Sequence, residues 1–199
     1  MIEISTATPL YEYLRLCNLN PLPKKILDCG AGWANTKLSL FYQYGYEAFG
    51  LEINKEAMDE AVEFCKEKDY ALHLLRGDMR DIPFADEAFS FVYSYNAISF
   101  MTKPDIKNSI NELKRVLRPG GLCYVNLFSV DDPDNRPFDR NSFAYRLLKS
   151  ERFSKFEDNE ADIYFESCEI IRKEKRLTEK IENEKKYVRA DIDYIARKK

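Results

Sequence analysis

The chain is poor in the residues that build metal and disulfide sites. His73 is its only histidine, which excludes a histidine metal cluster. The five cysteines (Cys17, Cys29, Cys65, Cys123, Cys168) are odd in number, widely spaced and free of any C-x-x-C pair. That pattern argues for buried reduced thiols and against a disulfide framework or structural zinc, so no metal is expected. There is no basic segment followed by an apolar run at the start, where Glu3 already stands, so no signal peptide is expected. Ala88 to Met101, the longest nearly apolar stretch, is too short for a bilayer and is broken by Ser90, Ser94, Asn96 and Ser99. A formal net charge of −3 lacks the basic excess that would draw nucleic acid or anionic lipid. These absences predict a cytoplasmic protein with neither a membrane nor a nucleic-acid partner. They leave the oligomeric state open.

The 199 residues contain no repeat and no low-complexity linker, which predicts one domain with a full core. Thr8-Pro9 reads as a helix cap with proline in the first turn, opening a short helix through Cys17. Apolar strands are predicted at 25–29, 46–53, 71–75, 89–95 and 122–128. Helices with a 3.6-residue period fall between them. One carries Leu38, Phe41 and Tyr42, and one is capped by Asn54 and carries Ala57, Ala61, Phe64 and Cys65. A third runs from about Pro104 to Leu117 and is ended by Arg118-Pro119-Gly120-Gly121. Strands alternating with helices imply parallel pairing by right-handed crossovers. Near the end, Val188, Ala190, Ile192, Tyr194 and Ala196 alternate with Arg189, Asp191, Asp193 and Arg197, the pattern of a half-buried strand. The charged run 172–186 would be the other arm of a hairpin turning near Asn183, with a solvated edge. Residues 130–156 read as a loop with one helix near 142–148.

Three clusters fall at the carboxyl ends of predicted strands, where open α/β sheets bind ligands. Asp28-Cys29-Gly30-Ala31-Gly32-Trp33-Ala34 is a glycine-rich turn whose backbone N–H groups are expected to approach an anion. Glu52 stands twenty positions after Gly32, at the end of the second strand, where a carboxylate can accept from both hydroxyls of a ribose. A dinucleotide turn would place a third glycine at position 35, which is asparagine here. The third cluster is GDMRDIPF at Gly77–Phe84, with KRVLRPGG at Lys114–Gly121 before the fifth strand.

Together with LDCGAG and Glu52, and in this order, these segments resemble the class I S-adenosylmethionine-dependent methyltransferases. The similarity is to the small members of the ubiquinone/menaquinone-biosynthesis and tellurite-resistance groups. It covers residues 25 to 128, with Ala34 where the family's turn has its last glycine. The resemblance implies a doubly wound, Rossmann-like α/β fold with a mostly parallel seven-stranded sheet, an antiparallel C-terminal strand and helices on both faces. Residues 1–24 would be a cap helix, 25–128 the cofactor-binding core, 130–165 a substrate-side insertion and 166–199 a β-hairpin. The cofactor implied is S-adenosylmethionine. Gly30 and Gly32 would touch its methionyl part, with Asp28 near the ammonium group. Glu52 would hold the ribose and Ile53 pack on the adenine. Asp78 would accept from the adenine amino group, with Met79 on the ring's other face. Tyr95 would line the methionyl end.

The acceptor is expected to be a small molecule, approaching Tyr11 and Asn96. Relatives often carry a histidine after the tyrosine at this place, and here the pair is Tyr95-Asn96, so no base is assigned. His73, within a strand of leucines, is read as structural or edge-exposed. Trp33 is read as a cover for the cofactor or as packing. Arg136, Asp139 and Arg140 read as a solvated loop before they read as acceptor contacts. Three other functions stay open: a methyltransferase acting on protein or nucleic acid, a non-catalytic S-adenosylmethionine-binding protein, and a nicotinamide oxidoreductase. SYNAIS after the fourth strand lacks the proline pair of amino-methylating nucleic-acid enzymes, and Asn35 disfavours the oxidoreductase.

Overall fold

The computed structural model describes residues 8–32, 37–133, 153–182 and 184–199. Its helices are α1 (Thr8–Leu19), α2 (Leu38–Gln43), α3 (Lys55–Lys68) and α4 (Lys103–Val116). Its strands are β1 (Lys25–Cys29), β2 (Glu47–Glu52), β3 (His73–Arg76), β4 (Phe89–Ser94), β5 (Leu117–Ser129), β6 (Lys155–Phe156), β7 (Cys168–Glu182) and β8 (Lys185–Lys198). Short 3₁₀ turns occupy Ile98–Phe100 and Glu160–Phe165. The expectations for Trp33, Ala34, Asn35, Arg136, Asp139, Arg140, a helix at 142–148 and a turn at Asn183 lie outside the described residues.

One eight-stranded sheet runs in the order β3-β2-β1-β4-β5-β8-β7, with β6 paired to β5. β1 to β5 pair in parallel. β8 enters antiparallel between β5 and β7. The expected mostly parallel sheet with an antiparallel last strand is therefore present, and the strand count rises from seven to eight because of β6. Two residues are too few for any periodic signal. β6 is held instead by Phe156, which is fully buried.

The pleat sorts side chains onto two faces. Leu27, Val92, Val125 and Leu127 meet Ile106, Ile110 and Leu113 of α4 on one side. Ile26, Phe91, Tyr93 and Tyr124 meet Leu10 and Tyr13 of α1 and Phe41 of α2 on the other. Burying large apolar groups on both faces is what a parallel sheet requires. Tyr13 also ties α1 to the sheet: its hydroxyl donates between the carbonyls of Val92 at 2.9 Å and Leu122 at 2.7 Å. Local chemistry sets the helix ends. The Asn54 side chain accepts from the Ala57 amide at 2.8 Å, and Asp69 closes α3 in the left-handed conformation at φ 54°. Thr102 caps α4, with Pro104 in its first turn.

Two further expectations change. Arg118–Gly121 does not form a separate turn. β5 already begins at Leu117, and the pairing with β4 slips between Phe89 and Phe91 to absorb the extra residues. The strand read as half-buried is buried on both faces over 190–196: Asp191 is 0% and Asp193 5% exposed. All five cysteines are free and buried, in line with the reading as buried thiols. His73 lies exposed on the edge strand β3, stacked on Phe49 with ring centroids 4.6 Å apart.

Candidate functional site

The strand order reverses between β1 and β4, and the crevice at such a switch point is where doubly wound sheets hold ligands. β1 delivers Asp28 and the glycine turn there. β2 delivers Glu52, and β4 delivers Tyr95 and Asn96. The chain beyond β3 brings Asp78 and Met79. Most of the site residues expected from sequence therefore converge on one end of the sheet.

Gly30 sits at φ 98°, and a Cβ on it would lie 2.2 Å from the Cβ of Ala97. Only glycine allows this approach between the ends of β1 and β4. At Gly32 a Cβ would lie 2.7 Å from a Glu52 carboxylate oxygen. The Gly32 amide donates to Glu52 Oε2 at 2.9 Å, and the Asn54 amide donates to Glu52 Oε1 at 2.8 Å. Glu52 thereby fixes both the glycine turn and the start of α3.

In its described part, Gly30 to Gly32, the turn does not present its amides to an anion, as the sequence suggested. Gly30 and Ala31 both donate to the Leu51 carbonyl, at 2.8 and 3.1 Å, and Gly32 donates to Glu52. The parallel neighbour β2 has taken all three donors. Beside these amides stand the carboxylates of Asp28 and Glu52.

Asp28 is 3% exposed, and burial pushes its carboxyl up to about 7, although the Tyr93 hydroxyl and the Lys37 charge pull it back. Glu52 is 9% exposed. Ile53, next in sequence, is 51% exposed and offers an apolar face beside it. Asp78 is already engaged: Arg80 Nη2 lies 2.6 Å from Asp78 Oδ2, and the Arg80 amide reaches Oδ1 at 2.9 Å. The Arg80 hydrogen bonds hold that carboxyl below its ordinary range. Met79 packs on the α4-side core.

Tyr95 packs against the α1-side core, its ring centroid 6.0 Å from that of Tyr124. Burial raises the Tyr95 hydroxyl, which keeps it protonated at neutral pH. Asn96 stands in the left-handed region at φ 59°, a strained setting for a residue with a side chain. It is held there because its amide donates to Asn126 Oδ1 at 2.8 Å and Arg189 bonds its side-chain oxygen. Tyr11 joins the same face from α1.

Sequence reasoning missed Ala97, Arg80 and a charged group on β7 and β8. In that group Arg189 bonds both Asp191 oxygens, and Arg176 donates to Asp193 at 3.2 Å. The Tyr124 hydroxyl also donates to Asp193, at 2.8 Å. Burial raises the Asp193 carboxyl, against the pull of Arg176. The available signal was the pair of aspartates at i and i+2 on a strand with opposite charges beside them.

A family model described as a methyltransferase domain matches residues 26–121. The chain is similar to sarcosine/dimethylglycine N-methyltransferase of Halorhodospira halochloris, 30% identical over 110 residues, or 54% of this chain and 39% of that protein. It is also similar to malonyl-[acyl-carrier protein] O-methyltransferase 1 of Coxiella burnetii, 30% identical over 146 residues, or 72% of this chain and 46% of that protein. The chain thus spans less than half the length of these two curated relatives. TehB from Haemophilus influenzae shares the fold with a TM-score of 0.75 at 17% identity, covering 99% of this chain and 64% of that one.

Proposed function

Residues 26–121 belong to the methyltransferase domain family, and from that premise we propose that the chain transfers a methyl group from S-adenosylmethionine to a small-molecule acceptor. The observation that carries this reading is the acidity of the crevice. A dinucleotide site would turn free amides toward a pyrophosphate. Here the three described turn amides, those of Gly30, Ala31 and Gly32, are spent on Leu51 and Glu52, and Asp28 and Glu52 are buried carboxylates instead. A cationic group suits Asp28, and a pyrophosphate finds no free amide at Gly30 to Gly32.

The residues present fit that cofactor. Asp28, a carboxylate whose burial is only partly compensated, is the partner for its ammonium group. Each Glu52 oxygen accepts one backbone amide and keeps a further lone pair for a ribose hydroxyl. Exposed Ile53 would lie along the adenine, with Met79 across from it. Asp78 would accept the adenine amino group with its orientation set by Arg80. Gly30 and Gly32 keep the floor bare of side chains.

When bound, S-adenosylmethionine supplies a methyl group activated by its sulfonium charge. The protein's task is to align an acceptor and exclude water. Tyr95 and Asn96 stand where the acceptor would approach, on a segment fixed by Asn126 and Arg189. The neutral Tyr95 hydroxyl is suited to donate a hydrogen bond rather than to remove a proton. The names of the relatives, which include sarcosine/dimethylglycine and demethylmenaquinone beside a malonyl group carried on acyl-carrier protein, support a small acceptor group. The test is formation of S-adenosylhomocysteine from S-adenosylmethionine across a library of small acceptors. Turnover with small molecules supports the reading. Turnover confined to protein or nucleic acid, or turnover with no acceptor despite tight binding, overturns the acceptor assignment.

A further inference from the structure

On the α1 side of the sheet, beyond Tyr95, the chain builds a polar floor inside the protein. Tyr124, Asn126 and Phe128 alternate along β5 and lie in register with Ile195, Asp193 and Asp191 of β8. Arg176 of β7 lies opposite Asp191. Arg189 clamps Asp191, reaches Asn96 and lies over the Phe128 ring at 5.8 Å. Two arginines against two aspartates leave the group with no net charge.

Such a network is weak as a stabilising device, because well-packed apolar residues would serve the fold as well. It is also incomplete. Asn126 is fully buried, yet its Nδ2 donor has no hydrogen-bond partner among the described residues. Arg176 Nη2 likewise has none, with Asp191 3.6 Å away at ion-pair range only. The Tyr11 hydroxyl, brought to this face by α1, is buried and unpartnered too. Leaving buried donors without acceptors is costly, and here Asn126 and Arg176 meet at Asp193 while Tyr11 packs on the same face of the sheet. Three unfilled donors among aromatic rings describe a receptor for a hydrogen-bond acceptor carried on an apolar body.

We propose that Tyr11, Asn126 and Arg176, over a floor of Tyr95, Tyr124 and Phe128, bind the carboxylate of a small aromatic or apolar carboxylic acid, which is the methyl acceptor. This deepens the methyl-transfer reading and rests on it. A carboxylate supplies several acceptor lone pairs, and its single charge is tolerated by a group that is neutral beforehand. A phosphate dianion would overload the same group. Asn126 also positions Asn96 by accepting its amide, so filling the floor reports directly to the end of β4.

The test uses the whole chain and isothermal titration with benzoate and phenylacetate, beside benzyl alcohol and 2-phenylethanol as neutral analogues. Each is titrated with and without saturating S-adenosylhomocysteine. The carboxylates are expected to bind at least tenfold more tightly than the alcohols. Tyr11→Phe and Arg176→Lys are expected to weaken the carboxylates at least threefold and leave S-adenosylhomocysteine affinity within twofold. Tyr11→Phe removes only an unpartnered buried hydroxyl, so the fold should stand and its melting temperature should hold or rise. A merely structural cluster would give unchanged carboxylate affinity in both variants. That result, or carboxylates no tighter than alcohols, overturns the proposal. Absence of S-adenosylhomocysteine binding would instead sink the cofactor reading, and the titrations without it still decide the carboxylate site.

Discussion

Glu52 Oε2 accepts a hydrogen bond from the Gly32 amide at 2.9 Å, joining the ends of two parallel strands across twenty positions of sequence. Its other oxygen accepts from Asn54. The residue read from sequence as a ligand contact is therefore also a structural brace. Glu52→Ala is expected to lower stability by about 1–3 kcal/mol, since it orphans two backbone amides. The same change is expected to weaken S-adenosylhomocysteine binding by about 1–3 kcal/mol. Denaturant unfolding and calorimetric titration of the folded variant separate the two. Unchanged affinity would remove Glu52 from the cofactor site.

Gly30 tests the approach of β1 to β4. Gly30→Ala carries both a clash with Ala97 and a side chain at φ 98°. A loss of about 1–3 kcal/mol is expected from the backbone strain alone, with the clash in addition. Adding Ala97→Gly should recover the steric part and leave the strain. Full recovery in the double variant would show that the backbone there is relaxed.

Asp28 makes stability depend on pH. Its folded carboxyl titrates near 7, against about 3.9 in an unfolded chain. The folded state holds the proton more tightly, so this group's stabilisation is full below about pH 4 and is lost as pH rises to about 7. Asp28→Asn cannot ionise and escapes that loss. Relative to the parent, the variant should gain roughly 2–4 kcal/mol between pH 4 and pH 8, read by chemical denaturation. The gain should come with at least tenfold weaker binding of S-adenosylhomocysteine, whose ammonium loses its counter-charge. A flat difference across that range contradicts the assignment.

Tyr13→Phe probes the anchor of α1. The hydroxyl meets the Val92 and Leu122 carbonyls in a fully buried setting. Its loss is expected to cost about 1–2 kcal/mol in thermal or urea unfolding. A neutral effect would mean that apolar packing alone holds α1.

The alternating strands were legible because each is a short apolar run between Gly, Pro and capping residues, as at Lys25–Cys29 and Asn54. The convergence of Asp28, Gly30, Gly32 and Glu52 was legible through strand ends and spacing. The state of the turn was not. Glycine spacing says that backbone can come close, but not that Leu51 and Glu52 will claim its amides. β8 was misread for a related reason. Asp191 and Asp193 alternate like solvent-facing residues, and only their pairing with Arg189, Arg176 and Tyr124, from other strands or two residues away, allows burial. Arg80 was missed because its partner Asp78 lies two residues away in an irregular turn.

The most direct test of the central claim is thermal unfolding with S-adenosylhomocysteine, run beside NAD at matched concentrations. A ligand present at a hundred times its dissociation constant adds about 2.7 kcal/mol. For a chain of 199 residues that is a rise of roughly 5–10 °C. The account predicts that rise with S-adenosylhomocysteine and none with NAD, because the Gly30 to Gly32 amides that a pyrophosphate would need are already taken and Asp28 stands beside them. A rise with NAD alone, or none with saturating S-adenosylhomocysteine, would contradict it.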